Sequence, residues 1–468
     1  YTWGLSPLWI GITHVVVGIF MMFVFFGRRT RIMSREYDSL TISQLLAKRY
    51  KSDALRFLTS FAILIFETVY LVSIYMGLSA LLTIIMPGVP NADIYAVCIV
   101  GLITIFYLSI SGSHGAITTD LVESMIMIIG VLSVTIGGLI AVGGIPGMLQ
   151  SLEQIEITVS LNPGALRTFP GAGGFGVIGM ILVTSFGTWG MPQMISRFYT
   201  ADEKKNTLKT GLIIALIWST FVSILSYLNG VLGRVFFFEH PDLATGVTAK
   251  NVIPSLMVAV LPVWFASLFI AAVTAASLTT GEKIILMASG SLSIDTYQYL
   301  TKASDEKTFK VTRITTVIII VVAVILTIFK PDAVLALAMF AWAAIASTIL
   351  VPYVFGLFWK RGTAAGAIAS GVAALTTTIV WWLCFRSASL NQSFNTTIFP
   401  LLKDLVPVVL YESATIKITV GSVHEFIVSQ LMAIIVFIVV SLLTKPKNPE
   451  EVEKIFEKLN VKSGEGML

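Results

Sequence analysis

Apolar residues in this chain come in long blocks, and polar residues collect between them. Eleven blocks are long enough to read as helices that cross a bilayer: 6–27, 57–86, 93–111, 118–143, 174–195, 208–234, 261–298, 311–329, 332–359, 363–385 and 422–444. A hydrocarbon core about 30 Å thick needs about 20 apolar residues per helical crossing. The seventh block exceeds one crossing, so its helix is expected to run on past the membrane. The stretch 386–421, with SLNQSFNTT, reads as a loop before the last span.

Composition agrees with lipid as the solvent. The 468 residues are 56% hydrophobic and 12% charged, with mean hydropathy +0.88. Soluble domains carry roughly 25% charged residues. The net charge of +5 is explained by topology rather than by a nucleic-acid partner. Alternate connections hold most of the basic residues: Arg28, Arg29, Arg31, Arg35, Lys48, Arg49, Lys51 and Arg56 in the first, then Arg197 to Lys209, Lys302 to Arg313, Lys360 and Arg361, and the tail. The opposite side holds Arg167, Arg234, Lys250, Lys330, Arg386, Lys403 and Lys417. The positive-inside rule then puts the first connection and the C-terminus in the cytoplasm, in a multi-pass protein of the cell membrane. Tyr1 lies outside on this count, with no export signal before it, which implies either sequence upstream of Tyr1 or a miscounted span.

Cys98 and Cys384 form no metal or disulfide framework, and His14, His114, His240 and His424 show no metal spacing. No nucleophile–base constellation or phosphate loop suggests an enzyme. The tail after Leu443 is too short for a signalling domain. No organic cofactor, nucleic acid or obligate protein partner is implied.

Two apolar blocks contain residues that plain lipid-facing helices do not need. The fifth reads SFGTWGMPQMISRF, with Gly187, Gly190 and Pro192 close together. Proline removes a helix hydrogen bond and clashes with the turn before it. The result is either a kink or a discontinuous helix whose freed backbone groups bind an ion or solute. If this span opens the second of two inverted five-helix repeats, the matching broken helix of the first repeat would precede Tyr1. The seventh block reads AAVTAASLTTGEKI, and Ala276, Thr279 and Thr280 share one helical face. Their hydroxyls and a carbonyl can converge on a small cation, or the hydroxyls can bond back to their own helix.

Four segments, in order, resemble the sodium:solute symporter family: LTISQLLAKRY (40–50), SGSHGAITTDLVESMIM (111–127), FGTWGMPQMISRF (186–198) and LPVWFASLFIAAVTAASLTTGEKIILMASGSLSIDTY (261–297). The last carries the most specific signature, and together the resemblance extends over about three quarters of the chain. It implies an all-α polytopic membrane protein of eleven helices with a LeuT-type inverted five-plus-five core at 1–359, accessory helices at 360–444 and a cytoplasmic tail at 445–468. Relatives with thirteen spans imply two further N-terminal spans. The resemblance further implies sodium as the coupling ion, with Ala276, Thr279 and Thr280 among its ligands and the others on a broken helix before Tyr1. It places Asp120 near the ion exit path, though this aspartate also suits the start of a helix.

The substrate side is expected to include Glu67, Tyr70 and Ile74 from the second span and Thr184, Thr188 and Trp189 from the fifth. Glu67 stands where proline-transporting relatives are apolar, and they are more aromatic at Thr184 and Thr188. Glu282 and Lys283 are expected near a solvated cytoplasmic mouth. The implied function is sodium-coupled import of a small organic solute, an amino acid such as proline or a related carboxylate or sugar, by alternating access. The alternative is a proton-coupled amino-acid permease using Glu67.

Overall fold

The computed structural model describes residues 1–83, 86, 88–199, 201, 207–249, 251–329, 334–386, 408–412 and 417–461. The side chains of 107, 109–121, 334, 335, 417, 460 and 461 are outside that description. Among the described residues, ten helices are long and apolar enough to cross a bilayer, and Ala92–Phe106 is a shorter apolar helix. All of them overlap the hydropathy blocks, although the third and fourth blocks fall on one continuous helix, Ala92–Ala141, rather than on two separate ones. Lipid offers no partners to the backbone, so a crossing closes its hydrogen bonds within its own helix unless it is interrupted where protein packs against it.

In chain order, α1 is Leu8–Glu36, with π-helical bonding over His14–Gly27. Then come α2, Ile42–Tyr50, and α3, Asp53–Thr83. The stretch α4, Ala92–Ala141, is helical throughout, so the polar SGSHG link between the third and fourth blocks is helical too. It is followed by α5, Gly144–Thr158, and by α6, Gly174–Phe186, and α7, Pro192–Tyr199. Next are α8, Thr207–Glu239, α9, Val252–Val260, and α10, Val263–Thr301. The remaining helices are α11, Asp305–Ile328; α12, Val334–Phe358; α13, Ala364–Arg386; α14, Glu425–Leu443; and α15, Pro449–Val461. The all-α expectation needs one addition. Val409–Glu412 (β1) and Lys417–Thr419 (β2) pair antiparallel within the region read as a loop.

The centre of the bundle is α12, whose apolar window is 78% buried; that of the peripheral α8 is 6% buried. Small residues make this possible. Ala341, Ala343, Ala344, Ala346 and Ser347 are wholly buried and let neighbouring backbones approach. The outward faces are apolar instead: Phe20, Ile214, Phe221, Ile314, Leu431 and Ile435 are all exposed, as lipid contact requires.

The end of the bundle that carries most of the basic residues is built around α2. Thr41 caps it, accepting from the Gln44 N–H at 3.1 Å. Arg49 is 1% exposed, and its Nε donates to Gly356 O at 3.0 Å and its Nη2 to Trp359 O at 3.2 Å. A buried cation thus sits on the C-terminal carbonyls of α12, where the helix dipole favours it. Beside it, Tyr50 Oη donates to Pro352 O at 2.7 Å. Arg49 is therefore a structural rivet as well as a topology signal. The long α10 extends to the same end, where Asp295 accepts from Thr41 Oγ1 at 2.7 Å and Tyr299 donates to Asp53 at 2.6 Å.

The tail does not hang free. Val452, Ile455 and Phe456 of α15 are buried, and Lys51 pairs with Glu451 at 3.0 Å.

At the opposite end, Glu156 of α5 accepts from the N–H groups of Leu166 and Gly164 at 2.6 and 2.8 Å and from Arg167 at 3.0 Å. Burial pushes its carboxyl up, but the Leu166 N–H, the Arg167 guanidinium and the Gly164 N–H outweigh it and hold it below the ordinary carboxylate value. A depressed carboxyl stabilises the fold above its unfolded pKa, and that contribution disappears as pH falls through the folded value. Glu156→Gln should lower the thermal unfolding midpoint at neutral pH. The gap to wild type should close on acidification below the carboxylate range.

Candidate functional site

The fifth span breaks where its glycines and proline stand. α6 ends at Phe186, a 3₁₀ turn covers Gly187–Gly190, Met191 is extended at φ −81° and ψ 123°, and α7 begins at Pro192. Pro192 at the first helical position sacrifices no intrahelical bond, because that N–H has no acceptor there anyway. Gly190 lets the break press on the central helix: a Cβ there would lie 2.9 Å from Ala346 Cα.

A cavity of about 460 Å³, within the usual range for small-molecule sites, opens between α3, α4 and α10. Tyr70 and Ile74 line it from α3, Glu123 and Ser124 from α4, and Ala276, Thr279, Thr280 and Lys283 from α10. The helical repeat explains the convergence: 70 and 74 share one face of α3, as 276, 279, 280 and 283 share one face of α10. Thr280 Oγ1 donates to Ala276 O at 2.9 Å. Thr279 Oγ1 lies 3.1 Å from the same carbonyl and 3.2 Å from Glu123 Oε2. Both hydroxyls therefore bond back to their own helix, as threonines in membrane helices commonly do. Each still turns oxygen lone pairs outward.

Other expected residues lie elsewhere. Glu67 is wholly buried one turn before Tyr70 and does not line the cavity; both its carboxyl oxygens lack a hydrogen-bond partner among the described residues. Its neighbours Phe66 and Tyr70 meet Phe340 and Trp342 of α12 edge-on at 5.7 and 5.9 Å.

Thr184, Thr188 and Trp189 sit against α1 instead. Thr184 Oγ1 donates to Met180 O at 2.7 Å, and Thr188 Oγ1 donates to Thr184 O. Trp189 Nε1 donates to Val17 O at 2.9 Å, and its ring lies between Phe26 and Phe186, each 4.9 Å away. This is a packing role that satisfies the indole N–H.

Glu282 is 1% exposed rather than solvated at a mouth. The Asp120 side chain is outside the described residues. Glu123 went unnoticed in the sequence. Its signal was a carboxylate on an apolar block three residues after Asp120, but nothing local shows that it meets Thr279, 156 positions away.

With this geometry in view, comparison with known proteins is decisive about kinship. The model of the sodium:solute symporter family matches residues 1–374. The chain belongs to that family. Among its relatives, a sodium/pantothenate symporter of Haemophilus influenzae is 26% identical over 413 residues, 87% of this chain and 82% of that protein. A sodium/proline symporter of Escherichia coli is 27% identical over 81% of this chain and 74% of that one. A solved structure of a Na⁺-coupled sialic acid symporter in a substrate-bound outward-open state covers 95% of this chain and 85% of its own, with TM-score 0.68 at 16% identity. At that identity the likeness establishes the fold, a LeuT-type transporter architecture.

The close approach at the break makes a prediction for this family member. Gly190→Ala forces the broken segment off α12, and overpacking of this kind costs about 1–3 kcal/mol. The variant should unfold at a lower temperature in detergent than wild type, whereas Gly77→Ala, inside a helix where a Cβ meets nothing within 4 Å, should leave that midpoint in place or raise it, since alanine favours the helix over glycine.

Proposed function

We propose that the protein is a secondary active transporter of the cell membrane that couples import of a small organic solute to sodium. The observation that carries this reading is a single cavity shared by Tyr70 and Ile74 with Ala276, Thr279 and Thr280. A solute and an ion in one cavity can each favour the state that suits the other. Alternating access needs only such differential binding, not tight binding of either partner. Sodium entry supplies the work, to which the membrane potential adds about 2.3 kcal/mol per charge per 100 mV. The broken segment at Gly187, Gly190 and Pro192 is the hinge, backed by α12. Residues 1–359 form the transport core, 360–444 accessory helices and 445–468 a cytoplasmic segment, with Asp120 beside the ion exit path. The solute is an amino acid such as proline, or a carboxylate or sugar of similar size.

A second reading rests on Glu67. A carboxyl wholly buried in the bundle without a hydrogen-bond partner among the described residues suits a group that carries a proton during transport.

Uptake by the full-length protein in proteoliposomes separates the two. Labelled proline, pantothenate and a sugar panel are offered under a sodium gradient or a proton gradient. Sodium-driven accumulation is expected, and Thr279→Ala with Thr280→Ala should reduce its initial rate at least about tenfold, since the ligand oxygens are lost. Uptake that follows pH, ignores sodium and survives the double substitution would select the Glu67 reading instead.

A further inference from the structure

Glu67 and the cavity lie along one stripe of α3. Tyr70, Ile74, Leu78 and Leu81 line the cavity from that helix. Glu67 is the next position in the same three- and four-residue spacing, one turn toward the end where Asp53 starts the helix. Ser60, two turns further on, continues the stripe. These two residues are 0% and 2% exposed, and Glu67 Oε1 and Oε2 and Ser60 Oγ have no hydrogen-bond partner among the described residues. The stripe that walls the cavity therefore leads to buried polar atoms that no described residue engages.

A carboxyl in a low-dielectric interior normally has its charge matched by a cation or by N–H donors. Glu156 is matched in this way, by two backbone N–H groups and by Arg167. Beside Glu67 the structure offers aromatic rings instead. Phe66 and Tyr70, its neighbours on α3, meet Phe340 and Trp342 of α12 edge-on. Ring faces attract ammonium groups through their quadrupole, more strongly where water is absent. A carboxylate beside such rings suits an ammonium group and repels an anion. It offers a sugar few of the paired donors and acceptors that hydroxyls need.

We propose that Glu67 sets the solute class: the transported solute carries an ammonium group, which Glu67 matches once that group has passed Tyr70. The assignment rests on the sodium-coupled reading above. It narrows the solutes of that reading to amines, proline among them, and excludes carboxylates and sugars that lack an amine. Tyr70 lines the cavity and stands one turn from Glu67, so the ammonium group reaches the carboxyl when the Tyr70–Trp342 pair parts. The charge of Glu67 then serves the solute rather than a transported proton.

Sodium-driven uptake by the full-length protein in proteoliposomes tests this, with labelled proline, choline, putrescine, pantothenate and glucose. At least one amine is expected to accumulate, while pantothenate and glucose do not. An excess of the amine-free isostere should not compete: cyclopentanecarboxylate for proline, dimethylbutanol for choline, butanediol for putrescine. Glu67→Gln keeps the shape and removes the charge. It should raise the KM for the amine about tenfold or more, a small share of the attraction between unit charges a few ångströms apart in a protein interior, with a thermal unfolding midpoint no lower than that of wild type. A merely structural glutamate would move the midpoint or the maximal rate and leave KM in place. If pantothenate or glucose accumulates with sodium and the amines do not, or if Glu67→Gln transports the amine with the KM of wild type, the solute-class assignment is overturned and the sodium-coupled reading stands. If a sodium gradient drives none of these solutes, that reading falls and this assignment with it.

Discussion

Lipid leaves no backbone polar group a partner outside the protein, and the functional architecture depends on where the chain departs from continuous helix under that constraint. The fifth span does so at Gly187–Pro192. Its interruption is tolerable because it lies against α12 rather than against lipid, with Gly190 pressed on the Ala346 backbone. α12 is held in turn from the basic end, where Arg49 donates to Gly356 and Trp359 carbonyls and Tyr50 to that of Pro352. The break, its buttress and the rivet beneath form one mechanical unit, which helix α2 anchors from outside the apolar blocks.

The cavity follows from a second constraint, that a charge in a low-dielectric interior must be matched. Hydroxyls and carbonyls alone can bind an ion only by replacing its water. Thr279 and Thr280 already share the Ala276 carbonyl, so an arriving cation would turn a bonding arrangement internal to α10 into a set of ligands. The back-bonded threonines and an ion site are for that reason compatible descriptions of the same atoms. A solute resting between Tyr70 and this cluster would feel the ion directly, the physical basis for coupling two gradients through one pocket.

What the sequence made legible divides along a physical line. Crossings depend on local composition, so hydropathy located the apolar helices, though not that the third and fourth blocks lie on one continuous helix, and the helix-breaking chemistry of glycine and proline located the interruption. The threonine face was visible because 3.6 residues per turn puts 276, 279, 280 and 283 together. Long-range pairings carry no local trace. Arg49 looked like a topology charge until it met α12, and α15 looked like a solvated tail until Phe456 packed on the bundle. Trp189 was expected on the substrate side, and its N–H donates to Val17 O. Glu123 likewise acquires meaning only from Thr279.

Symport through one cavity is at bottom a thermodynamic claim, that sodium and solute each raise the other's affinity by the same factor. Once the uptake panel has identified the solute, its equilibrium affinity for the full-length protein should be measured with sodium and with potassium in its place. The expected result is an affinity at least about tenfold higher in sodium, mirrored by an equal gain in ²²Na⁺ affinity when solute is present. Solute affinity that is the same in both salts would contradict coupling at this site.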